Sequence, residues 1–87
     1  MYSVRILKPA SKELEKLDRS VANRITDRIQ WLATHLDSTK LYPLKGVLAG
    51  LYKIREGPYR IIFELMRSEQ IIIIHAIGHR REIYQQR

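Results

Sequence analysis

Eighty-seven residues, 45% of them hydrophobic, supply one modest core, expected as a single domain over 1–87, and exclude a disordered chain. With no cysteine, a disulfide framework, thiolate catalysis and zinc–cysteine sites are excluded as well. Sixteen Lys/Arg against nine Asp/Glu leave a net charge of +7, which favours an anionic partner and argues against carboxylate-dependent two-metal nuclease chemistry.

The charge is uneven. Residues 1–39 hold seven Lys/Arg against five Asp/Glu, a net of +2, and residues 40–87 hold nine against four, a net of +5. The opening residues lack an apolar h-region with a cleavage pattern, and the longest aliphatic run, 71–74, is far too short to span a bilayer. A cytoplasmic protein is expected, with no membrane partner.

In chain order, "YSVRIL" sets Val4 and Ile6 on one side and Ser3 and Arg5 on the other, which predicts a short strand. Pro9 suits the first turn of a helix carrying Ala10, Leu14 and Leu17 on one face. Asp18 or Ser20 can cap a longer second helix whose buried stripe is Val21, Ile25, Ile29, Leu32 and Leu36. Trp31 is placed with Leu36 in the core, and Arg24, Asp27, Arg28 and Gln30 face outward. From Ser38 to Gly50, Pro43, Gly46 and Gly50 mark a loop. Period-2 patterning then returns, with Gly57-Pro58 and Arg67-Ser68-Glu69 separating three strands of an antiparallel meander. The order β-α-α-β-β-β predicts an α+β fold, with a helical hairpin on one face of a twisted antiparallel sheet.

Register decides the chemistry. A turn over Glu56 to Tyr59 places Arg55 opposite Arg60 and Lys53 opposite Ile62. Tyr52, Ile54, Ile61, Phe63 and Leu65 then share the helix-covered face, so Lys53, Arg55 and Arg60 gather on the other. Like charges directly across strands are destabilising, and such a cluster invites a functional explanation. Gly78 is expected to end the last strand and bend the chain, bringing Arg80, Arg81 and Tyr84 toward the same face.

Over "LKG", "LYKIREGPYRIIFEL" and "IGHRREIY" the chain resembles the RelE toxins of bacterial and archaeal toxin–antitoxin systems, within the RelE/ParE superfamily. The resemblance implies two helices packed on a twisted antiparallel sheet and a metal-independent endoribonuclease that cuts mRNA in the ribosomal A site. It also implies a cognate antitoxin, through which the complex can bind operator DNA. On the matching positions, it assigns Lys45 to RNA backbone and Lys53 and Arg55 to activation of the nucleophile. Arg60 is assigned to the scissile phosphate, Arg80 to the leaving oxygen and Tyr84 to stacking on a displaced base. Arg55 stands where some members have lysine.

RNA carries its own nucleophile, the 2′-OH, so such an enzyme needs only in-line positioning and charge neutralisation, and it needs no cofactor. The expected products are a 2′,3′-cyclic phosphate and a 5′-hydroxyl. A lysine serves as a base where neighbouring cations favour its neutral form, whereas arginine stays protonated and clamps phosphate. Lys53 is therefore the expected base, with Arg55 supporting it. His79 and Arg81 are further candidates for RNA contact. The spacing of His75 and His79 lacks the third ligand a metal site requires.

Each residue also has a plainer reading. Lys53 and Arg55 can form an ordinary solvated strand face, and Arg60 can pair with Glu56 or Glu64. Tyr84 can anchor the chain on the core edge, where Tyr52 and Tyr59 are also expected. Two further functions share the fold: a ParE-like poison of DNA gyrase and a non-catalytic RNA-binding module.

Overall fold

The computed structural model describes residues 1–83. The chain runs through β1 (Ser3–Ile6), α1 (Lys8–Lys16), α2 (Arg19–His35), β2 (Tyr42–Pro43), β3 (Tyr52–Glu56), β4 (Tyr59–Met66) and β5 (Ile71–His79). Pro9 lies in the first turn of α1, where its missing N–H breaks no hydrogen bond. Leu17 turns extended and Asp18 starts α2, its carbonyl accepting from the Ala22 N–H at 2.9 Å.

The strands form one sheet in the order β1-β5-β4-β3-β2. The meander pairs antiparallel as expected, but β1 runs parallel to β5, with Val4 opposite Ile72 and Ile6 opposite Ile74. The sheet is therefore mixed, not wholly antiparallel. The helical hairpin carries the chain across the sheet, and the meander returns its last strand alongside β1. A second departure is β2, a two-residue strand inside the expected loop, pairing Tyr42 with Lys53 and Pro43 with Tyr52. Pro43 has no N–H to donate, which confines it to the edge position it occupies.

Helix α2 buries Ile25, Ile29, Leu32 and Ala33, with Leu36 just beyond its end, against Ile54, Ile61, Phe63, Ile72, Ile74 and Ile77 of the sheet. Tyr52, Tyr59 and Leu65 pack at the margin of this core. The register of β5 on β4 slips between Ile62 and Phe63: Ile62 faces Ala76, and Phe63 faces Ile74. His75 is the extra residue of this bulge. Without the slip, Ile74 and Ile77 would point to opposite faces, because strand side chains alternate.

Two residues break the pattern of one dry face and one wet face. Ile62 and Ile83 are 2% and 4% exposed, yet neither belongs to the core beneath the helices. Both lie on the outer side of the sheet.

Candidate functional site

The β3–β4 hairpin sets the site. Glu56 pairs with Tyr59 across a two-residue turn in which Gly57 has φ +57° and Pro58 is held to negative φ by its ring. That sign pattern is the type II′ turn, which twists with the strands and locks the register. Arg55 consequently faces Arg60, and Lys53 faces Ile62, on the side away from the helices. The sequence expectation for these three cations holds.

Arg60 is half-buried, and its Nη1 donates to the carbonyls of Gly57 (3.2 Å) and Tyr59 (3.1 Å). The alternative ion pair with Glu64 is not formed. The Glu64 Oε1 instead lies 2.8 Å from the Nε2 of His75. The bulge thus gives His75 a carboxylate partner on the same sheet face.

The segment after β5 docks on the same turn. The Arg80 N–H donates to the Pro58 carbonyl at 2.8 Å, and the His79 ring meets Tyr59 edge-on at 5.8 Å between centroids. The N–H groups of Glu82 and Ile83 both reach the His79 carbonyl at 2.9 Å, closing a tight turn. Arg60 and Arg80 are therefore fastened to one loop, the first by its side chain and the second by its backbone. Arg81 is exposed, its N–H donating to the His79 Nδ1 at 3.2 Å. Tyr84 lies outside the described residues.

Gly78 plays a different part from the one expected. It sits inside β5, paired with Arg60, and the strand continues to His79. A Cβ on Gly78 would lie 3.0 Å from the Cδ1 of Ile83. The glycine supplies room for Ile83 on the outer face; the bend comes one residue later.

An open groove of about 470 Å³ runs along the edge of β3 beyond the short β2. Among the described residues, five cations line it: Arg28, Lys40, Lys53, Arg55 and Arg60. Thr39, Tyr42 and Ile54 also line it, and among the described residues no carboxylate does. Lys45 is exposed on the loop between β2 and β3 and does not line the groove.

Arg28 and Lys40 are additions that patterning did not supply. Arg28 does not simply face outward. It is half-buried, and its Cζ lies 4.4 Å from the centroid of the Trp31 ring. Trp31 in turn is not core: it is 38% exposed and stacks on His35 at 4.6 Å and 9°. The signal available in the sequence was the spacing Arg28-x-x-Trp31-x-x-x-His35, which aligns the three side chains on one helix face.

Comparison with known proteins agrees with this architecture. Residues 4–84 match the family described as the ParE toxin of the type II toxin–antitoxin system, parDE. Toxin RelG of Mycobacterium tuberculosis is 26% identical to the chain over 97% of both sequences. The toxin–antitoxin complex RelBE2 of the same organism contains a chain that superposes with a TM-score of 0.80 at 24% identity, covering 90% of this chain and 96% of that one. The isolated RelE toxin of Escherichia coli superposes with a TM-score of 0.72 at 19% identity, covering 91% and 84%. At those identities the two structures show a shared fold. The chain belongs to the ParE toxin family of type II toxin–antitoxin systems, within the RelE/ParE superfamily.

Proposed function

We propose that this toxin is an endoribonuclease that cuts mRNA in the ribosomal A site without metal and is neutralised by a cognate antitoxin. The observation that carries this reading is the register pairing of Arg55 with Arg60, with Lys53 on the same face and Arg80 fastened to the adjoining turn. A cation cluster built at the expense of like-charge repulsion suits a phosphodiester.

The roles follow from the chemistry of each group. Lys53 acts as the base that takes the proton from the 2′-OH, and the 2′ oxygen attacks phosphorus. The bond from phosphorus to the 5′ oxygen breaks, leaving a 2′,3′-cyclic phosphate and a 5′-hydroxyl that takes its proton from water. Arg60, held by two carbonyls, offers its remaining donors to the charge that develops on the phosphate oxygens. Arg80 supports the departing oxygen, Arg55 assists Lys53, and Tyr84 stacks on a displaced base. Lys45, His79 and Arg81 contact the RNA around them.

Induction of the protein alone should arrest translation and leave mRNA ends that depend on ribosome occupancy. Naked RNA should be cut poorly, because the ribosome supplies the in-line geometry. The matched family's description favours a second reading, a ParE-like poison of DNA gyrase. Gyrase-linked DNA breaks with intact mRNA would replace the first reading with the second.

A further inference from the structure

The cation cluster extends past the hairpin. Arg28 and Lys40 come from α2 and the loop that follows it, far in sequence from Lys53, Arg55 and Arg60, yet all five converge on one groove. Among the described residues, no carboxylate lines this groove beside Arg28 and Lys40. Arg28 carries a second signal: its Nε is buried and has no hydrogen-bond partner among the described residues. A buried donor without an acceptor is destabilising, as is the convergence of like charges. An anionic occupant of the groove relieves the charge convergence and gives the remaining guanidinium donors of Arg28 an acceptor.

We infer that this groove is an accessory RNA subsite. It takes the phosphate and sugar of single-stranded nucleotides flanking the cut, with Arg28 and Lys40 as phosphate contacts and Trp31 as the residue that positions Arg28. The inference rests on the reading of the outer face as an RNA site. It names residues beyond the reacting cluster. The Trp31 ring lies against the Arg28 guanidinium on one helix turn and against His35 on the next, which explains a tryptophan left exposed on α2. Cation–π contact restricts the guanidinium before RNA arrives, so less side-chain freedom is lost on binding. Tyr42, 52% exposed on the same rim, offers a ring face to a base. The groove volume lies within the roughly 300–1,000 Å³ typical of ligand pockets.

An acidic peptide is the competing occupant. RNA is favoured because the groove is continuous with Lys53, Arg55 and Arg60 and because an exposed ring accompanies the cations, a combination suited to phosphate and base together.

The test is binding of a short, fluorescently labelled oligoribonucleotide, made uncleavable by a 2′-deoxy sugar at the cut site, across a salt series. Wild type, Arg28→Gln, Lys40→Ala, Trp31→Ala and Trp31→Phe are compared, each first shown to be folded by a cooperative thermal transition. For single strands, each lost phosphate contact flattens the slope of log K against log salt by about 0.7. Arg28→Gln and Lys40→Ala should each show that change together with a several-fold loss of affinity. Trp31→Ala should resemble Arg28→Gln, and Trp31→Phe should recover most of the loss. Lys40 is exposed, so its variant keeps the test decisive should Arg28→Gln fail to fold.

Wild-type affinity and slope retained in both Arg28→Gln and Lys40→Ala would overturn the subsite, as would a wild-type protein that binds no oligoribonucleotide. So would Arg28-dependent binding of a poly-glutamate peptide but not of RNA, which would point to the peptide occupant. The parent reading is tested separately, by wild-type cleavage on programmed ribosomes. Arg28-dependent RNA binding without that cleavage would leave the subsite standing and remove the nuclease.

Discussion

Ile83 occupies the space that a side chain on Gly78 would fill, its Cδ1 lying 3.0 Å from the position of the missing Cβ. Because Gly78 pairs with Arg60, this contact seats the 79–83 turn beside the cation cluster. Gly78→Ala needs Ile83 to yield by only a few tenths of an ångström and should be tolerated. Gly78→Val should displace Ile83 and carry the Arg80 backbone off Pro58, leaving the core beneath the helices folded. A misplacement of about 1 Å can cost about 10² in rate. We therefore expect near-native thermal stability with cleavage reduced by about that factor, read by single-turnover assay on programmed ribosomes. Unimpaired cleavage by Gly78→Val would show that the seating of this turn is unimportant.

Arg60→Ala and Arg80→Ala should abolish toxicity while preserving a folded protein that binds its antitoxin. Arg60 loses two hydrogen bonds to turn carbonyls, a cost of about 1–3 kcal/mol in stability. Loss of a charge-stabilising donor should lower the saturating rate by about 10²–10³. Cleavage at the wild-type rate by both variants at saturating concentration would mean that neither residue takes part in the reaction.

Much of this geometry was legible because alternation and turn chemistry are local. Gly57-Pro58 fixed one hairpin turn, and every pairing from Tyr52 to Phe63 followed from it. The bulge at His75 was hidden because the isoleucine run 71–74 offers apolar residues to both faces, so alternation does not show where the phase changes. The parallel seating of β1 is a long-range choice with no local marker. Trp31 departs from the apolar pattern, which assigns a tryptophan beside a buried stripe to the core, because its partners are Arg28 and His35. The groove is made by α2, the loop after it and β3 together, and no local pattern in the sequence marks elements so far apart as neighbours.

Phe63 is fully buried where the bulge rephases β5, between Tyr52 and Ile74. Phe63→Ala should destabilise the fold by about 3–5 kcal/mol through lost transfer energy and a cavity. Phe63→Leu should cost less. Urea denaturation with an unchanged m-value would check both figures. A loss under 1 kcal/mol for the alanine would mean that the site collapses around the deletion or that the packing differs from that described.

The pairing of Arg55 with Arg60 makes stability and activity oppose one another. Two guanidinium-bearing residues directly across strands repel, and a cross-strand pair of this kind shifts stability by about 0.2–1 kcal/mol. Arg55→Thr removes the repulsion and places a β-branched residue on a strand, where it fits well. The variant should therefore be more stable than the wild type at low salt. The gain should shrink in concentrated salt, since the screening length falls from about 10 Å at 0.1 M to about 3 Å at 1 M. Cleavage should fall at the same time, because a support for Lys53 and one wall of the groove are lost. Urea titrations at both salt concentrations, alongside the ribosome assay, measure the two effects independently. A variant less stable than wild type at low salt would show that the pair is not repulsive in the free protein, and the case for charge convergence held in reserve for an anion would fall with it.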